Sequence, residues 1–188
     1  FLHRHGFDTR RALNLLGQER AGRQRLVPQL AGVAAWLAGL DSEFLDWLIA
    51  NEPEIALRAD VDVIDDARQR ALVDELLARA NVGRLTSFAH PALGKLAHPD
   101  LADQLRPWIA EGGVVPARRL AIELAGATSS NDLHELLVER TLDEGEEMRI
   151  RVDAGWALWR TTAPAELRSR LKPLALAAPE TDVDDDLK

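Results

Sequence analysis

One stretch of this chain occurs twice, and the recurrence limits the fold more than any other feature. Asp100-Leu101 to Ala127 and Asp132-Leu133 to Thr161 read as two versions of one helical hairpin, offset by 32 residues. In each, a first helix with apolar residues at helical spacing leads through a short acidic, Gly-containing turn into a second helix with an early arginine. That second helix reads Arg118-Arg119-Leu120-Ala121-Ile122-Glu123-Leu124-Ala125 in the first version and Ile150-Arg151-Val152-Asp153-Ala154-Gly155-Trp156-Ala157 in the second. A period of roughly 20–50 residues is the signature of stacked repeats. Such hairpins cannot bury their apolar residues alone, so neighbours must cover them, and short loops make successive helices antiparallel. Architectures of this kind bind more often than they catalyse.

Composition points to an all-α chain. Ala and Leu dominate, there is no Tyr and Phe is scarce, so few segments have the β-branched and aromatic content of strands. The chain has 188 residues, enough for one sizeable core or about five to six helical pairs. The formal net charge of −8 disfavours nucleic acid and anionic membranes as partners. Residues 1–27 depart from this, with six Arg against Asp8 and Glu19, a local +4 that leaves −12 for the rest. A solvated helix face explains them better than a nucleic-acid contact. The absence of Cys excludes disulfides and Cys-ligated metals. No run reaches the roughly 18 apolar residues of a membrane span, because Leu26 to Leu40 is broken by Pro28, Gln29, Gly32 and Gly39. No secretory signal is visible. The chain begins at Phe1 and ends in an acidic run that looks like the start of another element. We therefore expect a piece of a larger cytoplasmic protein. The excess of Arg over Lys and the richness in Ala resemble a bacterial protein from a GC-rich genome.

The expected helices follow from caps and periodicity. Asp8 or Thr9 caps a helix to about Arg20, and a second runs from Leu26 to Gly39. Asp41-Ser42-Glu43 opens a third, which Asn51 ends ahead of Pro53. Residues 53–58 form one or two helical turns, and 60–63 connect. Asp65 or Asp66 starts a strong helix to Ala80, stopped by Asn81 and Gly83. Residues 84–99 are least regular, with a short helix at 91–96. Pro107 is expected to kink the first helix of the first hairpin. Asn131-Asp132 caps that of the second, and Pro164 opens a last helix to about Ala177, interrupted at Pro173. Residues 179–188 form an acidic tail. This divides the chain into N-terminal helical pairs over 1–83 and the recurring hairpins over 84–188.

Ile150-Arg151-x-x-Ala154-x-x-Ala157-Leu158 resembles the second-helix signature of HEAT repeats, an aliphatic-Arg pair followed by small residues and a Leu. Arg118-Arg119-x-x-Ile122-x-x-Ala125-Gly126 is a weaker version, with Arg in the aliphatic position. The resemblance covers about 100–178, is faint over 8–80, and implies an α-solenoid that is irregular in its N-terminal half. It makes Arg119, Arg151, Ala154, Ala157 and Leu158 structural, the arginines reaching acids in the inter-helix turns, where Glu111 and Asp143 stand. Because second helices of such solenoids usually line the concave surface, Arg118, Arg119, Arg149, Asp153 and Trp156 are the interaction candidates. Residues 47–60, 70–77 and 98–108 are similar to segments after the nucleotide-binding core of large bacterial NACHT-type (signal-transduction) NTPases. That resemblance implies a regulatory or sensor module on an ATPase. The phosphate-binding motif G-x-x-x-x-G-K-[S/T] does not occur, so the chain alone is not expected to hydrolyse ATP.

No constellation supports catalysis. His3-x-His5 offers two metal ligands with only Asp8 nearby. His90, His98 and His134 have no nucleophile or carboxylate at a recognisable spacing. Asp182, Asp184, Asp185 and Asp186 lack the Gly and Glu of a calcium loop. Asp143, Glu144, Glu146 and Glu147 cluster around Gly145, where a following helix N-terminus explains them better than acid/base work does. Trp36, Trp47, Trp108, Trp156 and Trp159 are expected mainly in packing, with one of them a possible binding anchor. The expected molecule is a non-enzyme without cofactor or metal. It would be a scaffold or sensor contacting another protein or another domain of its parent. A nucleic-acid-binding HEAT-like solenoid is the alternative.

Overall fold

A computed structural model describes residues 8–20, 22–60, 64–85, 91–110 and 112–172. These are mostly helical, with one two-stranded hairpin, so the protein is all-α in class. Two compact units partition the chain, Phe1–Leu101 and Ala102–Lys188.

In the first unit, α1 (Thr9–Leu16) is capped by the Asp8 carboxylate, which accepts from the Arg11 N–H at 2.8 Å. It stops well short of Arg20. Gly17 is extended there, and a Cβ on it would lie 2.6 Å from the Leu13 carbonyl oxygen. Only glycine permits that approach. The Gln24 side-chain amide donates to the same Leu13 oxygen at 3.0 Å. The end of the helix expected to reach Arg20 and the stretch that follows it thus form a β-hairpin, β1 (Gly17–Arg20) antiparallel to β2 (Arg23–Leu26), with Gly22 left-handed in the turn at φ +72°. A tight turn and two polar four-residue strands carry too little apolar alternation to be read from sequence.

Helix α2 (Ala31–Ala38) begins later than Leu26, because a 3-10 turn at Pro28–Leu30 precedes it. Helix α3 (Ser42–Asn51) starts where the cap predicts, with Asp41 accepting from the Phe44 N–H at 2.7 Å and from the Thr9 hydroxyl at 3.1 Å. Helices α4 (Pro53–Ala56) and α5 (Asp66–Asn81, capped by Asp65) also match their signals. The C-terminal end of α3 is neutralised by cations. The Asn51 carbonyl oxygen accepts from Arg79 at 2.7 Å and from Arg25 at 3.5 Å. Beside it, a cleft of about 630 Å3 is lined by Arg25, Trp47, Asn51, Glu75, Arg79 and Arg84 among others. The expected short helix at 91–96 is a 3-10 segment, Pro91–Leu96, fastened to this unit. Gln69 Nε2 donates to the Lys95 carbonyl at 2.8 Å, and Lys95 Nζ to that of Ala59 at 3.2 Å. The first unit therefore extends past residue 83.

In the second unit, α6 (Leu101–Ala110) runs through Pro107. Helix α7 (Val115–Ala127) follows, then a 3-10 turn (Asn131–Leu133), α8 (His134–Leu142), α9 (Met148–Arg160) and α10 (Ala165–Ser169). Asn131 and Asp132 form that turn, and no side-chain bond caps the end they were expected to cap. The tail at 179–188, and most of the stretch expected to prolong α10, lie outside the described residues. The core holds Leu105, Ile109, Leu120, Ile122, Leu124, Leu133, Leu137, Val138, Ile150 and Leu158. Helix α8 begins 33 residues after α6 (His134, Leu101), and α9 begins 33 after α7 (Met148, Val115). The buried residues of the second helices are likewise 33 apart (Ala117 and Ile150, Ala121 and Ala154, Leu124 and Ala157), whereas those of the first helices keep the 32 of the sequence alignment (Leu101 and Leu133, Leu105 and Leu137, Ile109 and Thr141).

Candidate interaction surface

A one-residue change of register rotates a helical position by about 100°. Arg118 now corresponds to Arg151, and Arg119 to Val152. The side chains behave accordingly. Arg118 Nη2 donates to the Ile109 carbonyl at 3.2 Å, and Arg151 Nε to the Thr141 carbonyl at 3.2 Å. Each thus ties its second helix to the last turn of the preceding first helix, whose end carbonyls lack intrahelical partners. Arg119 bonds Asp153, and the acid expected to receive an arginine in the first turn, Glu111, lies outside the described residues. Arg118 holds the turn acid, and that acid is Glu146. Its two Nη atoms donate to Glu146 Oε1 at 2.9 Å and Oε2 at 2.5 Å. The side chains are 14% and 8% exposed, so Arg118 is committed inside the unit. Arg140 approaches Glu146 and Asp143 at 3.5 Å each. Hydrogen bonds from Arg118 hold the Glu146 carboxyl below the ordinary glutamate value, against the opposing effect of burial. Glu146 thus ties the turn before α9 to both Arg118 of α7 and Arg140 of α8.

Helix α9 has three flanks. The first meets α7. Arg119 Nε donates to Asp153 at 2.5 Å, and Arg160 donates twice to Glu123 at 2.7 Å. Both guanidinium values are raised, first by those hydrogen bonds. Between the pairs the backbones close in: a Cβ on Gly126 would sit 3.0 Å from Ala157 Cα and Cβ. Contacts early in α7 meet the start of α9 and late ones meet its end, so the two helices run parallel. The second flank meets α8. The buried residues of α9 are Ile150, Ala154, Ala157 and Leu158. Ala154, Ala157 and Leu158, expected to be structural, are buried.

The third flank is open. Met148, Val152, Trp156 and Trp159 are 64%, 47%, 57% and 73% exposed. Their spacing, i, i+4, i+8 and i+11, aligns them on one helix face. The two indoles meet edge to face, centroids 5.5 Å apart and planes at 89°. Contiguous apolar exposure of this kind marks an interaction surface, whereas single exposed apolar side chains are ordinary. Of the interaction candidates, Trp156 lies on this stripe and Arg149 is exposed beside Met148. Arg119 and Asp153 lie on the α7 flank, paired to each other. Sequence reading did not set out Met148 and Val152 as surface residues. The signal was present as apolar residues on both sides of one amphipathic helix. The packing expected of the tryptophans fails at Trp36, Trp156 and Trp159, all exposed, while Trp47 and Trp108 are half-buried. Trp36 also lies in a shorter exposed run with Val33 and Leu40 at the end of α2.

The remaining constellations offer little chemistry. His98 and His134 are buried, and burial lowers the His134 value against the opposing charge of Asp132. His3, His5, His90 and Asp182 to Asp186 lie outside the described residues, as does Glu111. Among the described residues no group of three His, Asp or Glu is placed to hold a metal ion, and no helix is long and apolar enough to cross a membrane. Comparison with protein-family models, curated proteins and solved structures found no match.

Proposed function

We propose that this chain is a non-catalytic helical-repeat module, HEAT-like in its second unit, that contacts another protein or another domain of its parent. The parent is read as a large bacterial cytoplasmic protein, with a regulatory or sensor role beside an NTPase domain. The observation that carries the interaction role is the open stripe of Met148, Val152, Trp156 and Trp159. Two adjacent indoles supply large apolar area with little rotamer entropy to lose, which is why tryptophan dominates binding hot spots. The second unit offers little to a phosphate backbone. Arg118, Arg119 and Arg160 are each held by a carboxylate, and the net charge is −8.

The test compares the wild-type chain with a Trp156→Ser/Trp159→Ser variant as baits in a lysate of the source bacterium. Both side chains are exposed, so the variant should keep the wild-type unfolding curve. A protein captured by the wild type and lost by the variant supports the reading. Capture that the double substitution leaves unchanged overturns it.

A further inference from the structure

The stripe occupies particular positions in the 33-residue register. Val115, Arg119, Glu123 and Gly126 of α7 correspond to Met148, Val152, Trp156 and Trp159 of α9. Three of those α7 residues form its seam with α9: Arg119 through Asp153, Glu123 through Arg160, and Gly126 through Ala157. The exposed face of α9 is therefore the counterpart of the face by which α7 receives α9. We infer that it receives one more helix, running parallel to α9 as α9 runs parallel to α7: the second helix of a further hairpin of the same kind. This rests on the interaction reading above and names the partner's form.

The chemistry of the occupant follows from the exchanged residues. At the α7 seam two ion pairs stand beside a close Gly–Ala contact. On α9 the corresponding residues are Val and two Trp, with no charge among them. A carboxylate or guanidinium buried against the indoles would find no partner on the stripe. The occupant's facing residues are therefore apolar. Trp159 in the place of Gly126 holds the two axes further apart, since interaxial distance follows the size of the contact residues.

The experiment lengthens the chain by duplicating Leu133–Ala165 in tandem, which inserts one further hairpin at the observed step. The chain has no native cysteine, so a single pair can be introduced. Trp159→Cys in the original hairpin and Ala157→Cys in the duplicate reproduce the Gly126–Ala157 contact. Under mild oxidation the monomer should form this disulfide. The duplicate carries Asp153→Ala and Arg160→Leu, which gives it the apolar facing side the stripe requires, and this chain without cysteines should unfold in one transition, at a higher denaturant midpoint than wild type. A second version keeps Asp153 and Arg160 in the duplicate and, with both charges facing the indoles, should gain less stability. No disulfide, a separate low-midpoint transition, or failure of both versions to fold overturns the inference. So does sedimentation showing that the natural chain dimerises and that Trp156→Ser/Trp159→Ser abolishes the dimer, since a second copy would then be the occupant. Failure of stacking while the double variant still loses its captured protein removes the helix inference alone. Stacking with unchanged capture removes the interaction reading alone.

Discussion

Helices α7 and α9 are each 13 residues long and stand one 33-residue step apart, yet their matching faces differ in chemistry. The α7 face is ionic and closed, with Arg119 and Glu123 each engaged across the seam. The α9 face is apolar and open. Equal length and equal place in a hairpin therefore do not give equal surfaces. A neighbour already in place allows charge pairs and a glycine contact, whereas an open apolar face keeps its solvation cost until something covers it.

The sharpest way to break the comparison is to remove the anchor that seats α9 on α7. Glu146→Ala leaves the Arg118 and Arg140 guanidiniums without their shared carboxylate and should cost about 2–3 kcal/mol in denaturant unfolding. A change below about 0.5 kcal/mol would show that the pair carries little. Next, Gly126→Val forces side-chain volume into the 3.0 Å contact with Ala157 and should cost about 2 kcal/mol. Its counterpart, Trp159→Ala on the open face, should change stability by less than about 0.5 kcal/mol. Equal losses from both would mean that the α9 face is covered after all. Arg119→Met removes a half-exposed ion pair and should cost under about 1 kcal/mol, shrinking with added salt.

The smallest expected effect is in pH dependence. His134 and Glu146 both have values lowered in the folded state, from 6.5 and 4.5. In each case the unfolded chain takes up the proton first, so their stabilisation is complete above the ordinary value and lost as pH falls below it. Stability should decline from about pH 6.5 through His134, and again below about 4.5 through Glu146. His134→Gln should remove the upper decline and Glu146→Gln the lower. Unaltered profiles in these variants would assign the acid sensitivity to other groups.

Much of the local structure was legible. Asp41 and Asp65 cap α3 and α5 because a short carboxylate before an apolar period has one dominant use. The Gly17 hairpin was not legible, because its turn depends on a contact between Leu13 and Gln24 that no local pattern announces. In the candidate surface, Trp156 was named from sequence and Met148 and Val152 were not. Both sides of α9 carry apolar residues, and periodicity alone cannot say which side a neighbour covers.

By itself the sequence determined the helical class, the caps at Asp8, Asp41 and Asp65, and the absence of cysteine chemistry. Those follow from residue types and short-range spacing. Only the tertiary structure decided the offset of 33 between α7 and α9, the assignment of Glu146 to Arg118, and which flank of α9 stays open. A single residue of register turns a helix by about 100°, and the neighbour packed against it, not the local sequence, selects the face that is buried.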